Sequence, residues 1–241
     1  MKIFRKAFAF TLAETLIVMG IIGVVAALTI PNLNSSTAEK EKIAKIMKVY
    51  SNLNDAFGRA EAVYGSFDEW FQADTTNATR SSRFAGRMME FLKTTKSCEH
   101  TVNSSCMKTG NFSSALGATL TSTAAPVSAD NISAVLADGS SIVFAKSTTD
   151  NNLGIIYIDI DGPNKGLFRH GVDLFRFYVA PQTGVYYEKT TTLCSGTTAG
   201  DDAGCENWVF TNGNMDYLKA DSSGKCSNGK VLDYTTNTSC K

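Results

Sequence analysis

Residues 10–30 read FTLAETLIVMGIIGVVAALTI, an apolar run whose only charge is Glu14. As a helix this stretch would be about 31 Å long, enough to cross a hydrocarbon core of roughly 30 Å. Lys2, Arg5 and Lys6 precede it, and no further Lys or Arg occurs until Lys40. That asymmetry places the N-terminus in the cytoplasm and everything after Pro31 on the far side of a membrane. An ordinary secretory signal has an apolar core of only about 7 to 15 residues. Glu14 is the anomaly, because an ionised carboxylate deep in a bilayer costs about 2.5 to 3.5 kcal/mol unless it finds a partner.

The next stretch, 36–64, reads STAEKEKIAKIMKVYSNLNDAFGRAEAVY. Ile43, Ile46, Met47, Tyr50, Leu53, Phe57 and Tyr64 recur three and four apart, which predicts an amphipathic helix with one face to bury. Ser36 and Glu39 have the spacing of a capping box, should a helix begin there. Lys40, Lys42, Lys45 and Lys48 fall mostly off the apolar stripe. Pro31 between the two segments lacks an amide hydrogen and predicts a kink.

Beyond residue 65 the chain becomes rich in Ser, Thr, Asn and Gly with short apolar runs. Phe67–Phe71 and Arg83–Leu92 read as short helices, and QADTTNATRSS between them reads as a loop. Asp138-Gly139 within AVLADGSSIVFA signals a hairpin. In IIYIDID, Ile156, Ile158 and Ile160 alternate with Tyr157, Asp159 and Asp161. In VDLFRFYV, Asp173, Phe175, Phe177 and Val179 alternate with Leu174, Arg176 and Tyr178. VYY after Gly184 could add another strand. The expected fold is α+β: a long N-terminal helix, half transmembrane and half amphipathic, packed on an antiparallel sheet.

Six cysteines fall at Cys98, Cys106, Cys194, Cys205, Cys226 and Cys240. Their loops are rich in Ser, Thr, Gly and Asn and would be floppy unless closed, so pairing between sequence neighbours is expected, each closure adding about 3 kcal/mol. A zinc site at Cys98, His100 and Cys106 lacks the spacing of known zinc ribbons. In DIDGPNKGLFRHGVD, the side chains of Asp159, Asp161, Asn164 and Asp173 are hard oxygen ligands suited to calcium. A plain β-turn at Gly162-Pro163-Asn164 accounts for the same residues.

Catalytic signals are missing from the sequence. There is no Ser-His-Asp or Cys-His setting, no G-x-S-x-G elbow and no Gly-rich phosphate loop after a strand. The adjacent acids Asp201-Asp202 sit in a Gly- and Thr-rich loop. Lys and Arg balance Asp and Glu at 23 each, so no net field favours nucleic acid. The expectation is a non-enzyme with no cofactor beyond possible calcium.

The segment KAFA/FTLAETLIVMGIIGVVAALTIPNL resembles the leader and N-terminal helix of type IV pilins and of the pseudopilins of type II secretion systems. The resemblance covers residues 1 to about 64. It implies cutting by a prepilin peptidase between Ala9 and Phe10, N-methylation of Phe10, and a role for Glu14 in pairing with the new amine of a neighbouring subunit. Ala9 stands where the family usually has Gly. Pro31 occupies the place of the family's helix-bending proline. The division that follows is a leader at 1–9, an assembly helix at 10–30, its amphipathic continuation at 31–65 and an extracytoplasmic head at 66–241. The implied partners are other pilin-like subunits, the peptidase and methyltransferase, and an inner-membrane assembly platform. The implied location is the bacterial inner membrane and then a pilus or pseudopilus. The competing expectation is a membrane-anchored or secreted binding protein that never polymerises.

Overall fold

The computed structural model describes residues 12–98, 105–110, 112–120, 128–150, 152–194 and 204–241. The chain divides into two compact units, Met1–Glu41 and Lys42–Lys241. Helix α1, Leu12–Tyr64, contributes residues to both. Its backbone stays helical through Pro31 and Ser36. A proline removes one hydrogen bond from the ladder, and the turns on either side still propagate.

In the second unit the buried residues of α1 are Ile43, Ile46, Val49, Leu53, Ala56, Phe57 and Ala60. The stripe therefore follows the predicted helical spacing but is finished by small residues, while Met47 is partly exposed. Gly65, with φ +80°, ends the helix, and its N–H returns to the Glu61 carbonyl at 3.0 Å. A 3-10 turn, Phe67–Phe71, then folds Phe67, Trp70 and Phe71 inward.

Helix α2 spans Asn77–Met89, so half of the predicted 72–82 loop is helical. The reason is a cap: Thr76 Oγ1 accepts from the Thr79 N–H at 3.2 Å, and Thr79 Oγ1 accepts from the Thr76 N–H at 3.4 Å. This reciprocal pair satisfies two of the free donors at a helix start. Thr-x-x-Thr departs from the usual Ser/Thr-x-x-Glu pattern and hid the signal.

Strands β1 (Thr94–Cys98), β4 (Ile132–Leu136), β5 (Ser141–Lys146), β6 (Gly154–Asp159), β7 (Leu174–Ala180) and β8 (Gly184–Tyr186) form one antiparallel sheet in the order β1-β4-β5-β6-β7-β8. Strands β2 (Phe112–Ser113) and β3 (Thr119–Leu120) make a separate small pair. The hairpin at Asp138-Gly139 is present: Gly139 has φ +85°, and the Asp138 carboxylate accepts from the Ser140 N–H at 3.0 Å. The β1 edge strand, TTKSC, is polar and exposed along most of its length and gave no alternation to read.

One sheet face carries Ile142, Phe144, Ile156, Ile158, Phe175, Phe177 and Val179 into a common core with α1, the 3-10 turn and α2. Phe67 meets Phe84 at 5.3 Å between ring centroids, and Phe84 meets Phe144 at 5.1 Å. Gly154 is required where these rings press on β6, because a Cβ there would lie 2.8 Å from Phe67 and 3.0 Å from Phe84. On the opposite face Val143, Tyr157 and Leu174 pack with Met107, Phe112 and Phe168. Helix α3, Gly204–Asn212, lay unread behind a loop-like composition; it buries Trp208, whose indole N–H donates to Asn214 at 3.0 Å.

The six cysteines form Cys98–Cys106, Cys194–Cys205 and Cys226–Cys240 disulfides. Each closes a loop between sequence neighbours. Phe177 tests the core: it is fully buried, with its ring 5.2 Å from Tyr50 and 6.1 Å from Phe210. Phe177→Ala should cost about 3 to 5 kcal/mol, read as a lower denaturant midpoint by tryptophan fluorescence; a loss below about 1 kcal/mol would contradict this packing.

Candidate functional site

Two places in the chain have properties that a simple scaffold does not require. The first is the early part of α1. Leu12, Leu16, Ile17, Val18, Met19, Ile21, Ile22, Val24 and Val25 are all exposed, Leu12 by 80% and Met19 by 72%. These positions cover every side of a helix rather than one stripe. Glu14 stands among them in the first turn, and it too is exposed. Thr15 donates its hydroxyl to the Leu12 carbonyl at 2.9 Å, which keeps that polar group within the helix.

An apolar surface of this extent is stable only against lipid or other protein. Among the described residues, however, no helix is long and apolar enough to cross a membrane. The apolar side chains that are described, at 12–27, cover about 24 Å as helix, against a hydrocarbon core of roughly 30 Å. Ala9 and Phe10 lie outside the described residues, as do the side chain of Pro31 and the acids Asp201-Asp202.

The second place is the loop between β6 and β7. Asp159 and Asp173 are fully buried. Asp173 takes the backbone N–H groups of Leu167, Phe168 (2.9 Å) and Arg169 (2.6 Å) on its two oxygens. Asp161 pairs with Lys42 at 3.1 Å, and the same ammonium reaches the Val172 carbonyl at 3.4 Å. Lys45 donates to the Ile160 carbonyl. Two lysines that lie off the apolar stripe are thus cross-links from α1 to the loop. No sequence signal marked them, because off-stripe lysines look alike whether or not a carboxylate waits opposite.

Among the described residues no group of three or more His, Cys, Asp or Glu could hold a metal ion. Asp173 is engaged by amides, Asp161 by an ammonium, and Asn164 is exposed at the turn. The segment forms a tight connection in which Gly162, at φ +83°, comes so close to the Gly139 carbonyl that a Cβ would collide with it. A turn residue of this kind must be glycine.

Elsewhere His170 Nε2 lies 3.0 Å from Glu206 Oε1, both buried, and the same Glu206 oxygen accepts from the Arg176 N–H at 2.6 Å. That pair ties α3 to the start of β7, next to the Cys194–Cys205 bridge. Tyr217 adds a hydroxyl bond to the Gly171 carbonyl at 2.5 Å.

Asp159 makes the loop pH-sensitive. Its Oδ1 accepts from the Asp161 N–H at 3.0 Å, while Oδ2 has no hydrogen-bond partner. Burial foremost, and then the Asp173 carboxylate, push Asp159 up to about 7. The unfolded carboxyl titrates near 3.9, so between about pH 4 and pH 7 the folded state holds a proton that the unfolded state has lost. Stability contributed by this group therefore falls as pH rises through that window, by at most about 4 kcal/mol. Asp159→Asn should flatten that segment of a denaturation-versus-pH curve; an unchanged slope would show that Asp159 is ionised throughout.

Comparison with known proteins finds a similarity to Type II secretion system core protein G of Vibrio cholerae serotype O1, 32% identical over 81 residues. The match takes in 33% of this chain and 56% of that protein, so the chain spans little more than half the length of this curated relative. No family model matches the chain. No solved structure matches it either.

Proposed function

We propose that this protein is a structural subunit of a type II secretion pseudopilus or a type IV pilus, assembled through its N-terminal helix. The observation that carries the reading is the early part of α1, apolar on every side and bearing one carboxylate. Lipid before assembly and neighbouring helices afterwards would cover it. The similarity to a type II secretion core protein, partial as it is, supports the same reading.

In this reading a prepilin peptidase cuts between Ala9 and Phe10 and leaves an α-amino group, methylated once and still cationic, four residues from Glu14. Residues 10–30 hold the subunit in the inner membrane, with its N-terminus in the cytoplasm and its head outside. Glu14 then pairs with the Phe10 amine of an adjacent subunit. Two charges that are costly alone in hydrocarbon become tolerable together, which favours docking and sets the axial register. The subunit has no catalytic role, and the assembly platform drives its movement. Its partners are other pilin-like subunits, and the assembled fibre supports secretion, adhesion or motility.

Glu14→Gln keeps the shape and removes the charge. It should reduce incorporation into fibres by at least about tenfold, a loss equal to one forfeited interaction of about 1.4 kcal/mol, while the level in the membrane stays normal; normal incorporation would sink the pairing. Mass spectrometry of the mature N-terminus should find methylated Phe10. A chain beginning at Leu28 would instead identify a secreted protein that never polymerises.

A further inference from the structure

The outward face of the sheet carries a row of side chains in register across four strands. Ala145 faces Ile155, Ile155 faces Tyr178, and Tyr178 faces Tyr186. All four are partly exposed, whereas Val143 and Tyr157 in the neighbouring row are covered by the Phe112 and Phe168 cluster. The rings of Tyr178 and Tyr186 lie 5.6 Å apart and are tilted by only 30°. Three strand spacings make the row about 14 Å long.

A cavity of about 320 Å³ opens beside this row, with Ala145, Ile155 and Tyr157 among its lining residues. Asp130, Asn131, Thr149 and Asp150 line it as well. Cavity and tyrosine row adjoin, because Ile155, which lines the cavity, stands in register beside Tyr178. The one cation in the lining, Lys146, already gives its ammonium to the Asp150 and Leu153 carbonyls. Among the described lining residues an anionic ligand would therefore meet two carboxylates and a committed ammonium, and beside the cavity the Arg176 guanidinium already lies 5.4 Å from the centre of the Tyr178 ring.

A ligand that fits must offer a flat C–H face to tyrosine rings and, along its edge, hydroxyls to carboxylate, amide and hydroxyl groups. Small-molecule sites share that mixture of apolar walls and a few placed polar groups, at volumes of about 300 to 1,000 Å³. Neutral sugar rings have this chemistry. We propose that the outer face of β5 to β8 binds a neutral oligosaccharide, with sugar rings on Tyr178 and Tyr186 and a terminal ring held by the Asp130, Asn131 and Asp150 side chains.

The test is calorimetric titration of the full chain in a sugar-free zwitterionic detergent. The probes are maltotetraose, cellotetraose and chitotetraose, with tetragalacturonate and tetralysine as charged comparisons. Saturable binding of at least one neutral probe is expected, weakened by about tenfold or more in Tyr178→Ala and in Tyr186→Ala. Asp150→Ala, on a loop, should weaken it too and guards against misfolding of a strand variant, as does an unchanged melting temperature. Glu14→Gln should bind sugar normally, which separates this site from fibre assembly. The proposal is overturned if no neutral probe binds up to about 10 mM, if the three variants bind as well as the parent, or if only a charged probe binds.

Discussion

Everything in the second unit is arranged around one requirement, the burial of the stripe from Ile43 to Ala60 against a sheet face that is itself apolar. Neither surface is stable in water, and each is the other's solvent. Individual side chains of this kind contribute about 1.5 to 3 kcal/mol when fully buried. The 3-10 turn and α2 close the same core from the side with Phe67, Trp70, Phe71 and Phe84. The contacts of Lys42 and Lys45 follow from that packing, because seating the stripe brings the next helix face over the β6–β7 loop.

That packing explains which parts of the chain were readable in advance. Period-two alternation survived in β6 and β7 because both faces of those strands are occupied differently: Ile156 and Ile158 point to α1, and Tyr157 points to the second cluster. The helical stripe was legible for the same reason. Elements organised by polar contacts were not. Strand β1 is an exposed edge held by pairing with β4, α3 begins after a Gly- and Asp-rich stretch, and α2 starts earlier than its apolar residues because Thr76 caps it.

The acidic loop shows the same limit at the candidate site. Asp159, Asp161 and Asp173 in a Gly-rich stretch have the composition of a cation loop, and in the fold they accept from backbone amides and from Lys42. Asp173 collects three backbone amides and so does the work of a missing strand bond. Asp216 does likewise near the C-terminus, where it accepts from Ser239 at 2.6 Å and from the Cys240 N–H at 2.8 Å. Loops of such length stay ordered because carboxylates replace the regular ladder. The early part of α1 was legible for the opposite reason, since apolar surface on all sides of a helix needs no tertiary partner to be recognised.

The three disulfides are all local, with separations of 8, 11 and 14 residues, and none joins α1 to the sheet. If the molecule bears tension along its helix, no disulfide shares that load with the sheet. The helix is held to the sheet by side-chain packing, by the Lys42 and Lys45 contacts and by the Tyr50 hydroxyl on the Val185 carbonyl, all of them non-covalent. The head would then keep its bridged loops intact and could re-dock on the helix when the force is released. Mechanically, the disulfides protect the shape of the ends and leave the joint between helix and sheet reversible.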